Sequence, residues 1–296
     1  MNWALPLARH RIESRAVRCS AVVVSVALTL TACGSSAADD SPSEASAAGS
    51  FPFAHVHGVA VDPADDSVVI ATHEGLYRLD EDAASTRVGP TIDLMGFAVA
   101  GPGHYFASGH PGSGVDLPQP VGLIESTDGG ETWTPLSRQG QSDFHALTVS
   151  ASGVLGFDGS LARSGDGREW QELEIPAEPA SLSASPDGQR VLATTQQGLL
   201  RSNDAGASWS LVDGAPVLQL VGWGADESAV GVRPDGTVFT SADGGRTWQD
   251  TTALRAAPQA LYVGTGDGAS RVIAVTTAAV LDSRDGGKTF AVLLEL

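Results

Sequence analysis

Ser126-Thr127-Asp128-Gly129-Gly130-Glu131-Thr132-Trp133 is a stretch that this chain repeats. SNDAGASW follows at 202–209, SADGGRTW at 241–248 and SRDGGKTF at 283–290, and a copy one residue shorter, SGDGREW, occupies 164–170. Their leading serines stand 38, 38, 39 and 42 positions apart. A period near 40 residues predicts a propeller or a solenoid. Each copy closes a short β-like run, such as GLIES, GLLRS or AAVLDS. The stretch itself reads as a tight hairpin turn. The Asp carboxylate can accept from backbone N–H groups just ahead of it. The Gly supplies positive φ, and the closing Trp or Phe opens the next strand and buries a large ring.

Working outward, six units of four strands (A to D) can be written. They open at His55, Leu94, Phe144, Ala180, Leu218 and Ala260. The first unit has a strand C run, GLYRL at 75–79, but its turn (DEDAAS) lacks the pattern. The expectation is an all-β, six-bladed β-propeller over 51–296, with each blade contiguous in sequence. A seven-bladed ring is the alternative, and it would need a unit that the sequence does not offer. Phe51-Pro52-Phe53 is expected to help close the ring against blade 6.

The S-x-D-x-G-x-T-W pattern resembles the Asp-box, or BNR repeat, of sialidases, sortilin-type receptors and photosystem assembly-factor propellers. As a whole, 52–296 resembles actinobacterial secreted lipoproteins described as sialidase-like or glycosyl hydrolase-like. The resemblance implies C–D turns in which Asp128, Asp166, Asp204, Asp243 and Asp285 are structural. It does not bring sialidase chemistry with it. Sialidases clamp their substrate with three arginines and carry an F/Y-R-I-P motif, which is missing here. A calcium-loop reading of the repeat also fails, because no copy supplies the ladder of oxygen ligands.

The N-terminus reads as an export signal. Arg9, Arg11, Arg15 and Arg18 precede an apolar run from Ala21 to Leu30, too short to span a bilayer comfortably. The run ends in Leu30-Thr31-Ala32-Cys33-Gly34, which resembles the bacterial lipoprotein cleavage box. That resemblance implies cleavage after residue 32, lipidation of Cys33 and anchoring to the outer surface of the cell membrane. Residues 34–50, small, polar and mildly acidic, are expected to form a disordered tether. Cys19 leaves with the signal, so the mature domain is expected to hold no free thiol. The signal also removes four Arg and one Glu. The formal charge of −18 becomes −21, with 13 Lys+Arg against 34 Asp+Glu. So acidic a chain is a poor partner for nucleic acid.

Connectivity says where function should lie. In an A-to-D meander the D–A connections and B–C loops share one face, and the A–B and C–D turns share the other. The repeated turns take the second face. Five of the seven His map to the first: His55, His57, His73, His110 and His145. Glu74, Asp116, Asp143 and Asp158 lie there too, and so does Arg233. Three readings stand side by side. In the first, the histidines satisfy backbone groups at strand ends. His55, His57, His73 and His145 could bind copper or zinc. Or Glu74, Asp116, Asp143 and Asp158 could supply the paired carboxylates of a glycoside hydrolase. The leading expectation is a binding or assembly role, with His55, His57, His73, His110, His145 and Arg233 meeting a glycan or an envelope protein.

Overall fold

The computed structural model describes residues 55–80, 83–265 and 270–296. The signal over 1–32, Cys33, the tether over 34–50 and Phe51-Pro52-Phe53 lie outside the described residues. The described chain is all β, with 24 strands and no helix. The strands form six antiparallel sheets of four, each built from consecutive strands. Blades 1 to 6 occupy 56–88, 92–137, 146–173, 179–211, 220–253 and 258–295. The fold is a six-bladed β-propeller.

Burial follows from this arrangement. Strand B of a blade lies under both neighbours, so Val68–Thr72, Val191–Thr195 and Ser270–Thr276 are buried along their whole length. Such strands read as continuous apolar runs rather than alternating ones. Strand D is the outer edge. Ser210–Leu211 is exposed and Gln249–Ala253 nearly so, and polar residues there discourage further strand pairing.

Six apolar clusters hold the ring, one at each junction between consecutive blades. The closing aromatic of each repeat enters one of them. Trp133 packs at the junction of blades 1 and 2, Trp170 at 2 and 3, Trp209 at 3 and 4, Trp248 at 4 and 5, and Phe290 at 5 and 6. Trp170 stacks on Phe144 with ring centroids 4.8 Å apart. The sixth junction joins blade 6 to blade 1 through residues such as Ile273, Val275, Val59 and Ile70. The ring therefore closes between two complete sheets.

The turns do what their composition predicts. Asp128 Oδ1 accepts from the Ser126 hydroxyl at 2.8 Å and from Thr132 N–H at 3.0 Å. Its Oδ2 accepts from the Thr132 hydroxyl at 2.5 Å. The Ser126 hydroxyl in turn accepts from Gly130 N–H at 2.8 Å. Asp204, Asp243 and Asp285 repeat this pattern. In the shortened copy, Asp166 takes the N–H groups of Arg168 and Glu169 instead. These hydrogen bonds hold the carboxylates ionised. The Thr132 hydroxyl leads for Asp128, and the Arg168 N–H leads for Asp166.

Strand C arginines lock the turns across blades. Arg78 donates to Gly129 O of blade 2, Arg163 to Ala205 O of blade 4, and Arg201 to Gly244 O of blade 5. Blade 1 lacks a repeat turn, so its junction with blade 6 uses another device. Buried Arg271 pairs with Asp282 at 3.1 Å and donates to Asp66 O of blade 1 at 3.1 Å. Between blades 1 and 2, buried Asp62 accepts from the Tyr105 hydroxyl at 2.5 Å and from Gly103 N–H at 3.1 Å. Burial, and then this bond to Asp62, push the Tyr105 hydroxyl well above its ordinary range.

Candidate functional site

The strands A of all six blades line a central channel of about 540 Å³, touched by His57, Met95, His145, Ser181, Leu220 and Tyr262. His57 reaches it through a β-bulge. Val56 pairs with Thr72 and Gly58 with Ala71, leaving His57 as the extra residue. Bulges re-aim a side chain without ending the sheet. Blades 2, 4 and 6 carry the same irregularity, with Met95, Ala180 and Gln259 in the extra position.

His73 stands on a B–C turn that is also shared. The Thr72 hydroxyl donates to Gly75 O at 2.8 Å and accepts from Glu74 N–H at 3.0 Å. Thr195 and Thr276 close the matching turns of blades 4 and 6. The residue after the threonine is His73 in blade 1, Gln196 in blade 4 and Thr277 in blade 6. The threonine meets the turn's backbone needs, so the imidazole of His73 is not part of that scaffold.

These two histidines meet Asp93. His57 Nε2 is hydrogen-bonded to His73 Nδ1 at 3.3 Å and lies 3.7 Å from Asp93 Oδ1. His73 Nδ1 lies 2.8 Å from the same oxygen, without hydrogen-bond alignment, so buried Asp93 Oδ1 accepts no hydrogen bond. The three donor atoms all lie within 4.8 Å of one another. Burial and the neighbouring His73 lower the pKa of His57, which keeps its ring neutral at neutral pH. His55 is the adjacent imidazole, its ring centroid 5.4 Å from that of His73.

Asp93 is absent from the sequence reading, which opens blade 2 at Leu94. Strand A of that blade starts earlier, spanning Ile92–Gly101. The signal available was positional, since residue 93 is the strand A counterpart of the histidines that open blade 1. Asp93 pairs directly with His110 on strand B, so the two side chains project on the same side of the sheet. That pairing requires Gly109, whose φ is 141° and where a Cβ would sit 1.9 Å from Asp93 O.

His110 begins a second group. Its Nε2 lies 3.0 Å from Asp143 Oδ2, and His145 Nε2 lies 3.5 Å from the same atom. His110 Nδ1 and Asp143 Oδ1 are buried without hydrogen-bond partners. Asp143 and His145 precede their strand, which begins at Ala146. The remaining candidate residues stand apart. Asp158 pairs with Arg138 at 3.4 Å, and Arg233 with Asp235 at 3.8 Å. Exposed Asp116 has no ion pair or hydrogen bond among the described residues, and Glu74 Oε2 is buried without a partner. Seven residues of blades 1 to 3 thus form a polar arc on the face opposite the repeat turns: His55, His57, His73, Asp93, His110, Asp143 and His145.

The BNR/Asp-box repeat profile matches residues 124–135, and the DUF6242 beta propeller domain profile matches 146–264. The chain is a BNR-repeat β-propeller. It is 27% identical over 138 residues to the photosystem II assembly lipoprotein Ycf48 of Synechococcus sp. (strain CC9902). That match covers 42% of this chain and 41% of the relative, so the chain spans less than half the length of the relative it matches. Among solved structures, a chain of a nidogen/laminin complex is similar with a TM-score of 0.58 at 14% identity, covering 76% of this propeller and 91% of that chain. An ancestral GH74 enzyme is similar with a TM-score of 0.53 at 13% identity, covering 81% and 38%. Likeness this distant is a likeness of fold, shared by a chain of a protein complex and a GH74 enzyme alike.

Proposed function

We propose that this protein is a lipid-anchored propeller of the cell envelope that binds a protein ligand over the polar arc of blades 1 to 3. The carrying observation is the division of labour between the two faces. The repeat turns, the arginine bridges and the buried Asp62–Tyr105 pair occupy one face and serve the fold. The other face gathers five His with Asp93 and Asp143 around the channel, and among the described residues it holds four of the six buried polar atoms without hydrogen-bond partners, the other two being Arg201 Nη2 and Trp223 Nε1. Unused buried polar groups are costly in a fold and are expected where a ligand completes them. Support for a binding or assembly role also comes from the relative, an assembly lipoprotein by name. The Cys33 box supports the anchor.

The test is site-specific photo-crosslinking in the native envelope. Probes at Asp116 and His145 sample the arc face, and probes at Glu131 and Lys288 sample the box face. A discrete protein adduct from the arc-face positions alone supports the proposal. Adducts of equal yield from both faces, or none at all, refute it. Turnover of aryl glycosides that is lost in Asp143→Asn would instead place the protein among glycoside hydrolases.

A further inference from the structure

We propose that His57, His73 and Asp93 form a three-ligand site for a divalent d-block cation of the zinc class, open at a fourth position. The ligand atoms are His57 Nε2, His73 Nδ1 and Asp93 Oδ1, with separations of 3.3, 3.7 and 2.8 Å. Zinc takes nitrogen at about 2.0–2.1 Å and carboxylate oxygen at about 2.0–2.2 Å, almost always tetrahedrally. Two ligands of such a tetrahedron stand about 3.3 Å apart, by the geometry of those bond lengths. The three observed separations straddle that value, so small side-chain rotations would bring all three atoms to bonding distance. Two imidazoles with one carboxylate select zinc or copper over calcium or magnesium, which prefer oxygen alone.

The local hydrogen bonding points the same way. Asp93 Oδ1 is buried and accepts no hydrogen bond despite two ring nitrogens beside it. A cation at the centre of the triangle would satisfy that oxygen and take the place of the 3.3 Å hydrogen bond between the two ring nitrogens. The alternative is a purely structural triad, in which the histidines hold the turn and the bulge in shape. The internal repeats argue against it. Blades 4 and 6 build the same turn and the same bulge with Gln196 and Ala180, or with Thr277 and Gln259. The site shares His57, His73 and Asp93 with the polar arc of the protein-ligand reading above, but its test reads the metal alone, so either can fail without the other.

The test uses untagged protein and Zn²⁺ alone, by calorimetry and by metal analysis after dialysis, with Co²⁺ absorption as a report of coordination. One equivalent of Zn²⁺ is expected, with tetrahedral Co²⁺ bands. His73→Ala and Asp93→Asn are each expected to weaken binding about a hundredfold or more, beyond what loss of a supporting hydrogen bond typically costs. The double variant His57→Ala/His73→Gln installs the residues that blade 4 uses at these positions. It should melt like the parent protein and bind no Zn²⁺. His145→Ala, in the neighbouring group, should leave affinity within about twofold. The proposal is overturned if the parent binds no stoichiometric Zn²⁺. It is equally overturned if binding survives unchanged in His73→Ala and Asp93→Asn, or is lost only in His145→Ala.

Discussion

Replacing Asp243 by Asn removes one charge from a repeat turn and keeps its shape. The carboxylate accepts from the Ser241 hydroxyl at 2.8 Å, Arg246 N–H at 3.0 Å, Thr247 N–H at 2.9 Å and the Thr247 hydroxyl at 2.7 Å. Burial pushes this carboxyl up, but the bonds from Thr247, Ser241 and Arg246 outweigh it and hold the pKa at about 2, against an ordinary 3.8. A folded-state pKa below the unfolded one gives stability that is complete above about pH 4 and lost as pH falls toward 2. At 1.36 kcal/mol per unit, the shift corresponds to at most about 2.5 kcal/mol. The carboxylate is partly open to water, and screening reduces the expected contribution to about 1 kcal/mol. Asp243→Asn should therefore cost about 1 kcal/mol at neutral pH and about a third of that near pH 2.5, where the parent carboxyl has begun to take up its proton. Urea unfolding of both proteins at the two pH values measures the gap, read by tryptophan fluorescence. Trp248, whose Nε1 donates to Gly245 O at 3.0 Å, is a local reporter. A gap of the same size at both pH values would refute the charge-based account. No gap at neutral pH would refute any stabilising role for this turn.

Gly109→Ala should destabilise the propeller by at least about 2 kcal/mol, because the new Cβ meets Asp93 O in a backbone conformation that side chains rarely adopt. Denaturant unfolding within about 0.5 kcal/mol of the parent would contradict this. Asp282→Ala strands buried Arg271 and should cost about 3–5 kcal/mol, and Arg271→Met in the same chain should recover part of the loss. A double variant no more stable than the single one argues against the pair as the source. Tyr105→Phe takes a hydroxyl from buried Asp62 and should cost about 1–3 kcal/mol in the same assay. An unchanged unfolding midpoint would show that Asp62 does not depend on it.

The fold was legible because its signals are local. Ser126, Asp128, Gly130 and Thr132 make their bonds within six residues, so pattern and period can be read directly from the chain. The arginines were harder. Arg78, Arg163 and Arg201 stand on strand C beside the turns, but their acceptors lie 51, 42 and 43 residues downstream. Their role depends on blade packing, which no local pattern encodes. The site fell between these cases. His57 and His73 are placed on one face by counting strands. Asp93 joins them only because strand A of blade 2 begins at Ile92, before the apolar run that marks it in sequence. A shift of two residues in a predicted strand start was enough to hide one member of a triad.

Internal repetition provides the control that separates fold from function in this molecule. Six blades solve one packing problem, and most of what the solution demands recurs, the Arg271–Asp282 junction of blades 6 and 1 being an exception. The serine and aspartate of the turns recur, the threonine of the B–C turn recurs in three blades, and the bulge in strand A recurs in four. The residues those devices display do not recur. At the bulge stand His57, Met95, Ala180 and Gln259, and after the threonine stand His73, Gln196 and Thr277. Had a histidine been needed to hold either device, the other blades could not have dispensed with it. The imidazoles of blade 1 are therefore carried by the scaffold without supporting it. Two of them, hydrogen-bonded to each other at 3.3 Å, stand beside a carboxylate with an unused buried oxygen, on a framework that does not require them. An unused buried acceptor of this kind is expected where something outside the chain completes it, and the proposed cation would do so.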